Sequence, residues 1–198
     1  MTIHHSRQQE IVETARKIIS TSGMQGLTIN AIAKELKLTD GALYRHFKSK
    51  REILEFLIHE IDETLTDLFE STVASIEDPL KALEIVFASH LSYAEQRKGV
   101  SFIIITETLN LNDKKLQKKM KEVLDRYIGR IENLLSEGIR KGMVREDIDP
   151  SSASIVYFGI IQSTVTLWAL SGYRHSLKRG YLKLFRIFKS GIAQSPLH

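Results

Sequence analysis

The chain has 198 residues, 42 % of them apolar, and a formal net charge of +4 at neutral pH, which suits one full hydrophobic core or a core with a small module beside it. Cysteine is absent, and this excludes a disulfide framework, a thiolate nucleophile and any cysteine-ligated zinc site. The opening MTIHHSRQQE lacks the apolar core of a secretion signal, so a cytoplasmic location is expected.

Only three prolines and eleven glycines interrupt a nearly continuous helical periodicity. A first helix is predicted from about Ser6 to Ser22, with Ile11, Ala15, Ile18 and Ile19 on one face and Gly23 as its stop. Thr28 caps a short second helix carrying Ile29, Ile32, Ala33 and Leu36; Thr39 caps a third that reaches His46 or Phe47. A fourth, long enough to bridge two domains, starts near Lys50 and fades towards Ser75. Asp78-Pro79 opens a fifth to about Arg97, proline being suited to a first helical turn. The apolar run GVSFIIITETL, Gly99 to Leu109, reads as a strand in isolation, yet no second strand-like run exists to pair with it. Asp113 to Lys141 is a long amphipathic helix. Asp149-Pro150 opens an uncharged segment to Tyr173 that is diluted by Ser, Thr and Gln and is read as a buried helix, not a bilayer span. The last helix runs from Ser176 to about Ala193. The chain is predicted to be all-α.

Charge is unevenly placed. Residues 1–50 hold eight Lys/Arg against four Asp/Glu, a net of +4, and the other 148 residues balance to zero. Such asymmetry points to a polyanion as partner of the first quarter. Two short helices joined by a tight turn and braced by a longer one form a helix-turn-helix. At 100° per residue, Leu43 and Phe47 turn inward from the third helix. Gly41 and Arg45 then face out, flanked by Ala42 and Tyr44. Small residues let a helix sit deep in a major groove, a methyl such as that of Ala42 can touch a thymine methyl, and Arg45 offers the paired donors that match guanine. Tyr44 and His46 suit phosphates, as do Thr28 and Lys50 at helix starts.

LTINAIAKEL, followed by LTDGALYRHFKSKREIL, closely resembles the DNA-binding domain of TetR-family transcriptional regulators, with LYxHF-x-SK as its most specific element. The resemblance implies about nine helices. Residues 1–50 form the helix-turn-helix domain, and residues 51–198 a larger helical domain for effector binding and dimerisation. It also implies a nucleoid-associated homodimer on a palindromic double-stranded DNA operator, acting as a repressor released by a small effector, which the apolar middle helices suggest is hydrophobic. DNA contacts carry over to Thr28, Thr39, Tyr44, His46 and Lys50, with Gly41, Ala42 and Arg45 near bases. Family members commonly place Gly in the turn where this chain has Lys37; a left-handed residue there would cost up to about 1 kcal/mol against Gly. ALYRHFxSK also looks like a nucleoid-occlusion relative, whose second domain would bind a cell-division protein instead of a small ligand.

Beyond the motif, His90, Tyr93, Phe102, Thr106, Tyr127 and Gln162 are candidate lining of an effector pocket, because buried polar groups need partners. The apolar stripes of the last two helices, Phe158, Ile161, Val165 and Trp168 with Leu177, Tyr181, Leu184 and Phe188, are the expected dimer seam. Lys114-Lys115 and Lys118-Lys119 read as a solvated helix face, since Glu122 and Asp125 follow. No G-x-x-x-x-G-K-[ST], G-x-S-x-G or H-E-x-x-H motif occurs. Neither catalytic residues, nor a metal, nor a cofactor, nor membrane attachment is expected.

Overall fold

The computed structural model describes residues 7–194. Nine α-helices and no strand occur among them: α1 (Arg7–Gly26), α2 (Ile29–Glu35), α3 (Asp40–Tyr44), α4 (Lys50–Val73), α5 (Pro79–Gln96), α6 (Val100–Asn110), α7 (Lys114–Arg140), α8 (Pro150–Leu170) and α9 (Tyr181–Ile192). The chain is all-α, as its periodicity predicted. Ser6, the expected start of the first helix, lies outside the described residues. Gly23 breaks α1 with a left-handed φ of 66°. The apolar run after Gly99 is helix α6, with no strand-like neighbour to make it a ladder. The last helix starts five residues later than expected, because Gly180 takes φ 98° immediately before Tyr181 and interrupts the run from Ser176.

The described residues fall into two compact units. The first runs up to Asp62 and takes in Arg97–Lys121; the second comprises Glu63–Gln96 and everything from Glu122 on. A division at residue 50 was expected. The observed one differs because the chain returns: α6 packs on α1, and Arg97 Nη1 donates to both Glu13 oxygens at 2.9 and 3.0 Å.

In the first unit, Ile11, Val12, Ala15 and Ile19 of α1 meet Ile32 of α2, Leu43 of α3, Phe47, and Ile53 and Leu57 of α4 in a core sealed from solvent. Arg16 is buried there too. Its guanidinium is spent on Glu13, at 2.5 Å, and on Glu60, as a buried cation must be. In the second unit α5 packs against α8 and α9 around an aromatic cluster. Tyr157 lies edge-on to Phe87 and to Phe188 at 5.5 Å in each case, and its hydroxyl donates to Leu83 O at 2.8 Å. The turn after α7 joins the end of α9 through Arg145 N to Ile192 O and Gln194 N to Met143 O, both 2.9 Å.

Candidate nucleic-acid interface

A helix of five residues cannot hold itself in water; α3 is held from three directions. Thr39 Oγ1 accepts from Ala42 N at 3.2 Å, and Thr28 Oγ1 does the same for α2 from Ala31 N at 3.0 Å. Leu43 and Phe47 anchor its inner side, both buried, with Phe47 edge-on to Phe56 at 5.9 Å. On the far side, Ser49 and Glu52 form a reciprocal cap. Ser49 Oγ accepts from Glu52 N, and a Glu52 carboxylate oxygen accepts from Lys48 N at 2.7 Å. The turn between α2 and α3 places Lys37 at φ 54°, the left-handed conformation its position requires.

The outward face is the one the helical-wheel arithmetic predicted. Thr28, Thr39, Gly41 and Arg45 are exposed, Tyr44 is 50 % exposed, and Ala42 and His46 are half-buried at its edge. No atom would meet a Cβ at Gly41 within 4 Å, so the backbone there is bare. Lys34, Lys37 and Lys48, which the sequence reading left aside, are exposed beside them. The cations divide by location. On α1 and α4, Arg7 pairs with Glu10, Lys17 with Glu35, and Arg51 with Glu55 and Asp113. Lys34, Lys37, Arg45 and Lys48 have no side-chain partner among the described residues.

Lys50 departs from expectation. Its ammonium turns inward and donates to Met24 O at 2.8 Å; partial burial lowers its pKa, against a smaller opposing pull from Glu107. Met24 follows directly on the Gly23 kink of α1, so this lysine braces the α4 start against α1, and the exposed cation at that corner is Lys48.

Of the expected pocket residues, the structure joins two. His90 Nδ1 and the Tyr127 hydroxyl share a 2.7 Å hydrogen bond, with the rings edge-on and Phe158 6.1 Å from Tyr127. Burial lowers the His90 pKa to about 4 and pushes the Tyr127 phenol up, so both are neutral and satisfy each other. Tyr93 and Gln162 are half-buried in the same unit, whereas Phe102 and Thr106 sit on α6 in the first. The Thr106 hydroxyl donates to Phe102 O and Ile103 O of its own helix, so it needs no ligand as partner.

Five of the eight expected seam residues lie inside the chain. Ile161, Val165, Trp168, Leu177 and Phe188 are buried in the chain's own core, and Phe158, Tyr181 and Leu184 are half-buried. Buried side chains cannot also be a surface. The exposed apolar side of α8 is a different stripe, Val156, Gly159, Ser163, Leu167 and Leu170, and α9 exposes Ile187 and Gly191. Between these helices runs a groove of about 410 Å³ lined by Val156, Ile160, Ile187 and Phe188. α8 is uncharged and apolar almost all round, and it is long and apolar enough to cross a membrane, so periodicity could not tell its faces apart. Gly159, in mid-helix, was the available signal for a close-approach side.

Comparison with known proteins adds the following. Residues 11–57 match the family model of bacterial regulatory proteins of the tetR family, and residues 57–191 match that of the YsiA-like protein C-terminal region. The fatty acid metabolism regulator protein of Bacillus subtilis is 26 % identical over 186 residues, 94 % of this chain and 95 % of that protein. The nucleoid occlusion factor SlmA of Photobacterium profundum is 25 % identical over 175 residues, covering 86 % and 87 %. Among solved structures, the transcriptional regulator FadR from Bacillus subtilis in complex with stearoyl-CoA superposes with a TM-score of 0.79 at 25 % identity, covering 92 % and 98 %.

Proposed function

Since this chain belongs to the TetR family of bacterial regulatory proteins, it is a DNA-binding transcriptional regulator, and we propose that it acts as a homodimeric repressor on a palindromic operator, released by an acyl-chain effector. One observation carries the DNA face: the cations of the α2–α3 edge, Lys34, Lys37, Arg45 and Lys48, are exposed and lack internal carboxylates, while those behind them are paired. Phosphates are the counter-charge such a face fits. Arg45 reads a base in the major groove, Gly41 and Ala42 allow the approach, and Tyr44, His46, Thr28 and Thr39 hold the backbone. Two copies joined through Leu167 and Ile187 would present two α3 helices, which must stand about 34 Å apart, or a multiple, to enter successive turns of one duplex.

The effector class follows from the relatives: the Bacillus subtilis regulator is named for fatty acid metabolism, and its structure holds stearoyl-CoA. That regulator matches over 94 % of this chain, and a solved FadR structure from the same organism holds an acyl thioester, which supports a small ligand over a cell-division protein. The chain is read as a soluble cytoplasmic protein without catalytic function: one stripe of α8 is engaged by α5 and, through Tyr157 on Phe188, by α9, and the opposite stripe is what a second copy would cover.

The test is selection of bound duplexes from random DNA, followed by titration of the selected complex with stearoyl-CoA. A palindrome is expected, with release by the acyl thioester. Arg45→Ala is expected to lose about 1–3 kcal/mol and to relax preference at one base pair of each half-site. Equal preference in wild type and Arg45→Ala would remove Arg45 from the reading face.

A further inference from the structure

Charge divides more sharply by compact unit than by sequence. The first unit holds sixteen Lys/Arg against ten Asp/Glu, a net of +6; the second holds twelve against fourteen, a net of −2. Most of the first unit's excess comes from the returning segment Arg97–Lys121, which brings seven cations and two acids. Five of the seven are lysines in the first two turns of α7, namely Lys114, Lys115, Lys118, Lys119 and Lys121, and all five are exposed. Lys114, Lys118 and Lys121 line up opposite the buried stripe of Leu116, Met120 and Val123. The stripe turns acidic at Glu122, where the second unit begins. From sequence the cluster reads as an ordinary solvated face, but the helix dipole opposes that reading. Cations in the first turn of a helix are unfavourable, and Lys114 and Lys115 stand there beside Asp113, which accepts from Lys115 N and Leu116 N at 3.0 and 3.1 Å.

Position supplies the rest. The same Asp113 accepts from Arg51 Nε at 2.5 Å, and Lys119 pairs with Glu55 at 3.3 Å, which ties the start of α7 to the first two turns of α4. Glu52, in that stretch of α4, caps Lys48 N at the edge of the α3 face. We propose that the lysine-rich first two turns of α7 are a second DNA-backbone contact, gripping phosphates of the same duplex beside the half-site entered by α3. The inference rests on the DNA-binding reading above and extends it to a surface outside the helix-turn-helix. Its contribution is affinity and salt dependence without base preference, because lysine ammoniums meet phosphate as point charges.

The experiment compares the full-length wild type with the triple variant Lys114→Gln, Lys115→Gln, Lys118→Gln on the selected duplex, by fluorescence anisotropy across a salt series. A control triple variant, Lys81→Gln, Lys178→Gln, Lys189→Gln, removes the same charge from the second unit. Each lost phosphate contact takes about 0.9 off the slope of log affinity against log salt. Loss of one to three contacts per subunit of a dimer therefore lowers the slope by about 2 to 5, with base preference intact and the control at wild-type slope. The α7 variant is expected to fold, since it relieves a dipole conflict, and its melting temperature should equal or exceed that of wild type. An unchanged slope, or an equal fall in the control, overturns the proposal. So does loss of binding to anionic phospholipid vesicles with operator binding intact, which would assign the lysines to a membrane surface. If Arg45→Ala loses preference while the α7 variant binds as wild type, the functional reading stands and this inference alone fails. If wild type selects no duplex, both fail.

Discussion

Replacing Ile187 by Asp separates the two possible faces of α9. Ile187 is 71 % exposed in the single chain, and its neighbour Phe188 is buried against Tyr157 and Phe185. In a lone subunit, Ile187→Asp touches little and should change stability by within about 0.5 kcal/mol. In a dimer closed over this stripe, two effects add. Full burial of an isoleucine is worth about 1.5–3 kcal/mol; with most of the side chain still to be covered, each subunit forfeits about 1–2 kcal/mol, and symmetry doubles the loss. Two carboxylates must also be buried without partners, at several kcal/mol each in effective terms. Together these exceed about 6 kcal/mol, more than four decades in dissociation constant at 1.4 kcal/mol per decade, enough to turn a nanomolar dimer into a monomer at micromolar concentration. Light scattering should report the mass of one chain for Ile187→Asp, with helical circular dichroism retained. Phe188→Asp, by contrast, should lose the helical signal, since it opens the aromatic cluster of its own subunit. An Ile187→Asp protein that keeps the mass of a pair would refute the assignment of this face.

Two further perturbations address stability. Lys37→Gly relieves a left-handed turn at φ 54°, so it should gain up to about 1 kcal/mol and raise the melting temperature by about 2–4 °C in a chain of this size; a lower melting temperature would contradict the strain argument. His90 is held neutral, its pKa lowered from 6.5 to about 4 by burial. The unfolded chain therefore binds a proton below pH 6.5 that the folded chain refuses until about pH 4. The His90 contribution is fully present above pH 6.5 and is lost as pH falls from 6.5 towards 4, by about 3 kcal/mol in all. Thermal melts across that window should be steeper in pH for wild type than for His90→Gln, and parallel curves would exclude His90 as the cause.

What was legible in the sequence is what local rules decide. The caps at Thr28 and Thr39, the inward turn of Leu43 and Phe47, and the outward turn of Gly41, Tyr44 and Arg45 follow from neighbours within a turn or two. The left-handed turn at Lys37 could be expected for the same reason. What was not legible depends on contacts distant in sequence. The ammonium of Lys50 lies on Met24 O, 26 residues back, and no pattern near Lys50 announces that. His90 finds Tyr127 37 residues away, so its candidacy as a ligand contact dissolves into a mutual hydrogen bond. On α8, Ile161, Val165 and Trp168 are as apolar as Val156, Leu167 and Leu170, and only packing against α5 and α9 tells the core stripe from the exposed one. The return of Arg97–Lys121 to the first unit rests on α6 against α1, with Arg97 on Glu13 and Arg51 on Asp113, long-range contacts that no periodicity encodes.

The same ion pairs explain why the reading face can stay electrically unsatisfied. An exposed cation gains little from a surface partner, commonly below about 1 kcal/mol, so leaving Lys34, Lys37, Arg45 and Lys48 unpaired costs the fold almost nothing. Structural demands are met largely behind them: the Ser49–Glu52 box, Leu43 and Phe47 in the core, and Lys50 on Met24 hold α3 without using an outward cation, and only the capping threonines, Thr28 and Thr39, belong to both the scaffold and the exposed face. Stability and recognition are thereby assigned to different side chains of one short helix. Substitution on the outward face can change which duplex is bound while the melting temperature stays put, whereas substitution on the inward face loses both together.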